Sequence, residues 1–206
     1  MNCKLCFKEI SDVSFYCLTH RTCVVCEKCF SKFNAKFISF KFHGYKCLAI
    51  YEYDSFIREL IYKYKGCYDY ELKNVFLSRY LTYLRIKYHG YYVIPVPSHD
   101  LDDQRRGFNH VVSIFEGLNL RMMKIIKKRI QKKQATSSKG TRIDVDNVFS
   151  IDTNAKLKDK KVLVVDDVFT TGATLYKCLE LVKQLKPKEI KVLLVAKTPK
   201  KRKNEY

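Results

Sequence analysis

Val162-Leu-Val-Val-Asp-Asp-Val-Phe-Thr-Thr-Gly-Ala-Thr-Leu175 decides the architecture. Its four aliphatic residues, Val162 to Val165, read as a buried strand, and Asp166 and Asp167 emerge at the C-terminal end, where open α/β sheets hold their ligands. Thr170 to Thr174 make a tight, glycine-containing turn directly before a helix over about 173–185, and a second strand follows at 190–195. Strand, helix and strand in that order form a βαβ unit, so the sheet is at least partly parallel. The backbone N–H groups at the helix start, its dipole and the threonine hydroxyls suit a phosphate monoester. Gly172 lets the backbone approach that phosphate closely. Two adjacent carboxylates have no use beside a phosphate alone. They suit a ligand that also presents cis hydroxyls, and a ribose 5-phosphate satisfies both halves.

Outward from this unit, Phe56, Ile57, Leu60, Ile61 and Tyr64 repeat on one helical face that starts at Ser55 and ends at Gly66. Leu72, Val75, Phe76, Tyr80, Tyr83 and Leu84 make a second helical face ending near Gly90. Tyr91 to Ile94 reads as a short strand running into the Pro95-Val-Pro97 turn. A helix over about 109–117 and a strand near 122–126 follow. Residues 129–147 are polar around Ser137, Ser138 and Gly140 and read as a surface loop. The expected division is a cysteine module at 1–45, an α/β domain at 46–199 and a basic tail at 200–206.

Six of the nine cysteines fall within the first 29 residues, which points to metal binding rather than disulfides. Cys3-x2-Cys6 and Cys26-x2-Cys29 are two knuckle-spaced pairs, and together they close a four-thiolate tetrahedral zinc site with no open position. Cys17 or Cys23 is able to replace one of these ligands, whereas His20 reads as a loop residue. So short a module cannot bury enough surface by itself, so the Zn²⁺ is structural and supplies folding energy.

Hydrophobic residues make up 47% and charged residues 30% of the 206, which excludes wholesale disorder. The formal charge of +19 favours polyanions such as nucleic acid, phosphorylated metabolites or an anionic membrane face. Lys124, Lys127, Lys128, Arg129, Lys132 and Lys133 form one basic run and Lys200, Lys201, Arg202 and Lys203 another. With 15 Tyr and 13 Phe available for stacking, single-stranded DNA is a candidate partner. No apolar stretch is long enough to span a bilayer, and the N-terminus lacks the apolar core of a signal peptide, so a cytoplasmic protein is expected.

The Asp-Asp and Thr-Thr-Gly-Ala-Thr segment resembles the signature by which type I phosphoribosyltransferases bind 5-phosphoribosyl 1-pyrophosphate (PRPP). Lys63-Tyr-Lys-Gly66, Ile94-Pro-Val-Pro-Ser98 and Arg105-Arg-Gly-Phe-Asn109 stand between the cysteine pairs and that signature. In this order the set resembles the ComF (competence protein F) family, which joins a zinc ribbon to a phosphoribosyltransferase-like domain. The resemblance implies a type I phosphoribosyltransferase-like fold, a mostly parallel sheet flanked by helices. It implies that Asp166 and Asp167 hold the ribose hydroxyls as the catalytic carboxylates, and that Thr170, Thr171, Gly172, Ala173 and Thr174 cradle the 5′-phosphate. Pro97 and Ser98 would contact pyrophosphate or its Mg²⁺, with Arg105, Arg106 and Asn109 near the same anionic pocket. Arg129, Gln134, Lys139 and Arg142 would belong to a hood over PRPP. His110 stands where the family often has Gln. The implied role is in DNA uptake during natural transformation, with phosphoribosyl transfer if an acceptor is bound. The alternatives are a PRPP sensor or a non-catalytic protein binding single-stranded DNA. Competence-machinery proteins and the inner membrane face are the implied surroundings.

Overall fold

Residues 2–10, 24–98, 100–128 and 149–199 are described by the computed structural model. Cys17, His20, Cys23, Arg129, Lys132, Lys133, the hood segment and the basic tail lie outside them. In chain order the elements are α1 (Glu27–Phe30), β1 (Ala35–Phe42), β2 (Tyr45–Glu52), α2 (Ser55–Gly66), α3 (Leu81–Lys87), β3 (Tyr91–Pro95) and α4 (Asp100–Arg106). They continue with α5 (His110–Phe115), β4 (Ile126–Lys128), β5 (Phe149–Ile151), β6 (Lys161–Phe169), α6 (Ala173–Gln184) and β7 (Glu189–Lys197).

The main sheet has five strands in the order β1-β2-β7-β6-β3. All its pairings are parallel except β1 with β2. This is the mostly parallel sheet expected from the βαβ unit. Val162, Leu163, Val164 and Val165 are fully buried, because layers cover both faces of the sheet. On one face Leu48, Ile50, Leu163, Val165 and Leu193 share a core with residues of α2, α3 and α5. On the other, Cys47, Val162, Val164, Val192 and Leu194 pack with Leu175, Cys178, Leu179 and Val182 of α6.

Three elements differ from the sequence reading. Residues 35–52, to which no element was assigned, form the β1–β2 hairpin. Its turn is His43-Gly44, with φ of 46° and 83°, the positive pair that a two-residue hairpin turn requires. The helix expected from Leu72 to near Gly90 is broken into 3-10 turns at Tyr70–Asn74 and Ser78–Tyr80 followed by the short α3. There the Phe76 carbonyl accepts the buried Tyr51 hydroxyl at 2.9 Å, a tertiary bond. The strand expected at 122–126 is a single bridge from Met122 to Val93, and β4 starts only at Ile126.

α2 is the element that matters most for the site. Asp54 caps it, its side chain accepting from Ile57 N–H at 2.9 Å, and Lys63 and Lys65 occupy the last turn, where the helix dipole favours cations. The cysteine module packs on the same core: Phe33 meets Phe56 edge-on at 5.0 Å and Tyr51 at 5.6 Å. The boundary read at residue 45 falls at the hairpin turn, and β1, before it, hydrogen-bonds into the main sheet. Among the described residues no helix is long and apolar enough to cross a membrane.

Candidate functional site

β6 continues through both carboxylates, so Asp166 and Asp167 sit within the strand, with Asp166 opposite Leu194 of β7. They share a cavity of about 180 Å³ with Lys65, Pro97, His110 and the loop Thr170 to Thr174. Gly172, at the N-cap of α6, has φ of +78°. A Cβ there would lie 2.5 Å from Phe42 Cζ and 2.7 Å from Phe169 Cε2, so only glycine leaves the loop its path. Thr171, Ala173 and Thr174 are exposed around it, at the start of a twelve-residue helix whose first N–H groups are suited to an anion.

Asp167 is buried and accepts from Lys65 Nζ at 2.5 Å and from the Val168 N–H at 2.8 Å. Burial pushes its carboxyl up, but the Lys65 ammonium, followed by His110 and the Val168 N–H, outweighs this and holds it below the ordinary carboxylate range. Asp166 Oδ1 accepts from the Asp167 N–H at 2.9 Å. Desolvation, reinforced by the Asp167 charge, raises its carboxyl well above that range, although Asp166 still reaches solvent. The pair therefore holds one firm negative charge and one group that ionises reluctantly.

His110 begins α5, whose N-cap Asn109 accepts from the Val112 N–H at 2.9 Å. The residue is 5% exposed, and burial, followed by Lys65 and Arg106 nearby, lowers its pKa to about 3. It is neutral, with Nδ1 accepting from Arg106 at 2.7 Å, which leaves the proton on Nε2, 3.7 Å from Asp167 Oδ2.

The remaining predicted residues divide into two groups. Arg105 and Arg106 line a second cleft of about 620 Å³ that meets the first cavity at Lys65, Asp167, Val168 and Thr170. Ser98 and Asn109 line neither; Asn109 Nδ2 donates to Ser98 Oγ at 2.8 Å and to Asp103 Oδ2 at 2.7 Å, and Ser98 also donates to Asp103. They brace the turn after β3 against α4. Lys65 and Asp103 were not singled out by sequence reasoning. Lys65 lay within the quoted Lys63-Tyr-Lys-Gly66 segment, but its partner is 102 residues away. Asp103 gave no local signal.

Cys3, Cys6, Cys26 and Cys29 bring their sulfurs within 4.8 Å of one another, so the cluster is able to hold a metal ion. Cys6 Sγ and Cys26 Sγ are 3.8 Å apart, the edge of a tetrahedron with Zn–S bonds of ~2.3 Å. Cys26 N–H donates to Cys3 Sγ at 3.4 Å, which supports a thiolate. Asp166 and Asp167 offer carboxylate oxygens, the donor type that Mg²⁺ takes, beside the Lys65 ammonium and the His110 ring.

Residues 104–206 match the phosphoribosyl transferase domain family, half of the chain. Competence protein ComFC of Streptococcus pneumoniae is 27% identical over 143 residues, 69% of this chain and 64% of that protein. Competence protein ComFC of Bacillus subtilis is 26% identical, over 62% of this chain and 54% of that protein. Competence protein F of Haemophilus influenzae is 31% identical, over 48% and 47%. The matches thus span less than two thirds of these relatives. Among solved structures, purine phosphoribosyltransferase from Pyrococcus horikoshii Ot3 is 28% identical over 60% of this chain and 75% of that one, with a TM-score of 0.39.

Proposed function

Because the chain belongs to the phosphoribosyl transferase domain family and is homologous to the ComF competence proteins, we propose that it binds PRPP with Mg²⁺ between β6 and α6. The observation that carries this reading is the shared cavity: the carboxylate pair near the C-terminal end of β6 and a glycine-kinked helix start face the same 180 Å³. The 5′-phosphate takes the N–H groups and hydroxyls from Thr170 to Thr174. Asp166 and Asp167 accept from the ribose hydroxyls, and Lys65 is displaced from Asp167 toward the incoming anion. Arg105 and Arg106 face the pyrophosphate, while Pro97 shapes the wall and Ser98 and Asn109 keep its turn in place.

Phosphoribosyl transfer would break the C1′–O bond, pyrophosphate leaving with the electron pair, as the acceptor bonds to C1′. Asp167 would stabilise the positive charge that develops on the sugar, and the arginines the charge on the leaving group. Mg²⁺, when bound, supplies charge neutralisation of pyrophosphate. Cys3, Cys6, Cys26 and Cys29 hold a structural Zn²⁺. The test is thermal: PRPP with Mg²⁺ should raise the melting temperature of the zinc-loaded protein, and ribose 5-phosphate should do so less. No shift from either refutes the reading. Release of pyrophosphate from bound PRPP on adding candidate acceptors separates an enzyme from a PRPP sensor.

One feature favours a second role, in binding single-stranded DNA during uptake with other competence proteins. A groove of about 420 Å³ is lined by Lys41, Lys46, Lys87 and Lys191 beside the half-buried Phe40 ring. Cations beside an accessible ring suit a single strand. Replacing Lys46 and Lys87 by Gln should weaken DNA binding and leave PRPP affinity unchanged; equal loss of both would contradict two separate surfaces.

A further inference from the structure

Arg58, Ile61, Tyr62 and Lys65 follow one another at i, i+3, i+4 and i+7 on α2, and all four line the larger cleft. Two tyrosines of this cleft are exposed: Tyr62 is 66% exposed and Tyr68, also lining it, 50%. Neither ring is simply loose. Tyr62 lies against Gly66, where a Cβ would come within 3.1 Å of Cε2, so the glycine lets the ring lie flat over the helix end. Tyr68 is held at φ of 60°, a conformation that a bulky residue adopts only when its surroundings impose it. Arg58 stands 5.4 Å over the Tyr53 ring. Among the described residues Arg58 has no carboxylate partner, unlike Lys65 and Arg106.

We propose that this cleft binds a nucleoside monophosphate beside PRPP, with the base against Tyr62 and Tyr68 and the phosphate on Arg58. Exposed rings held in place supply a stacking platform for a planar base. A guanidinium with no carboxylate partner among the described residues, one helical turn away, supplies the anion contact. A bare phosphate would leave the rings unused, and a neutral base would leave Arg58 unused. About 620 Å³ accommodates both parts. The proposal rests on the PRPP reading for what occupies the adjoining cavity and for Arg105 and Arg106, which line this cleft and face the pyrophosphate; Arg58, Tyr62 and Tyr68 have no part in that reading.

Thymidine monophosphate is the probe, because its sugar lacks the cis diol that the carboxylate pair would select. It is titrated into the full-length, zinc-loaded protein with and without saturating PRPP and Mg²⁺, with thymidine and inorganic phosphate as comparisons. Saturable binding that persists with PRPP present is expected. Arg58→Gln and Tyr62→Ala should each weaken it at least tenfold, Tyr62→Phe should retain it, and none should alter PRPP affinity. Competition between thymidine monophosphate and PRPP, binding insensitive to Arg58→Gln and Tyr62→Ala, or equal affinity for inorganic phosphate would overturn the proposal. If PRPP itself does not bind, the PRPP reading fails, and the two variants without PRPP still decide this one. Circular dichroism melting identifies any variant that has lost its fold, and the Tyr62→Phe comparison then carries the stacking test.

Discussion

Lys65 and Asp167, 102 residues apart in the chain, close on each other with Nζ 2.5 Å from Oδ2 at the junction of the two cavities. The carboxylate is 8% exposed and the lysine 33%, so solvent reaches the pair from the lysine side. A ligand presenting hydroxyls to Asp167 must exchange with this ammonium, and a ligand that also brings phosphates gives the ammonium a new partner. Lys65 thus keeps Asp167 ionised in the ligand-free protein.

Removing that partner has a signed consequence. Lys65→Met leaves Asp167 buried without its counter-charge, which should cost about 1–3 kcal/mol at pH 7.5, below the range for a fully buried pair because Lys65 is partly solvated. The depressed Asp167 pKa contributes stability above the unfolded value that is lost as pH falls through the folded one. The gap between variant and wild type should therefore narrow toward acid pH in denaturant titrations. A gap that stays constant would mean that the pair does not set this charge.

Asp166→Asn should act in the opposite direction. Its raised pKa means that the fold binds a proton more readily than the unfolded chain, and stability is lost as pH rises through the folded value. The variant should melt higher than wild type at pH 7.5 and converge with it toward pH 4, while PRPP binding is lost. A lower melting temperature at neutral pH would contradict the assignment.

His110 should limit acid stability. With its pKa lowered to about 3, the buried ring resists a proton that the unfolded chain accepts near pH 6.5, so stability falls as pH drops between these values. At pH 5 this amounts to about 2 kcal/mol, a shift of 1.5 units at 1.36 kcal/mol each. His110→Gln should remove that loss between pH 7.5 and 5 in chemical denaturation.

How much of this was legible beforehand depended on whether the signal was local. Val162 to Leu175 carried strand, turn and helix in fourteen consecutive residues, and their order gave the parallel sheet. The carboxylates and the threonine loop meet because one turn joins them. Local patterns could not show that Lys65 pairs with Asp167, or that Phe42 packs under Gly172, since each contact joins distant elements. The β1–β2 hairpin was signalled by the Phe40-Lys41-Phe42 alternation and Gly44, but aromatic density obscured the period. The helix expected from Leu72 to near Gly90 failed for the converse reason: its apolar spacing was right, yet Leu72, Val75, Phe76 and Leu77 are all buried, more of the circumference than one helix face presents.

Metal removal tests the cysteine cluster separately from the pocket. A strong chelator should release a single Zn²⁺ per chain and lower the melting temperature, because Cys3 and Cys29 belong to the core that also contains Tyr51 and Ile57. Cys26→Ser should reproduce the loss. A full complement of zinc in that variant would show that another residue completes the site.

The most direct measurement is calorimetric titration of PRPP with Mg²⁺ into the zinc-loaded protein and into the Asp166→Asn, Asp167→Asn double variant. Saturable binding to the wild type and none to the double variant is expected. Absence of binding to the wild type, or undiminished binding to a folded double variant, would contradict a ribose-phosphate site between β6 and α6.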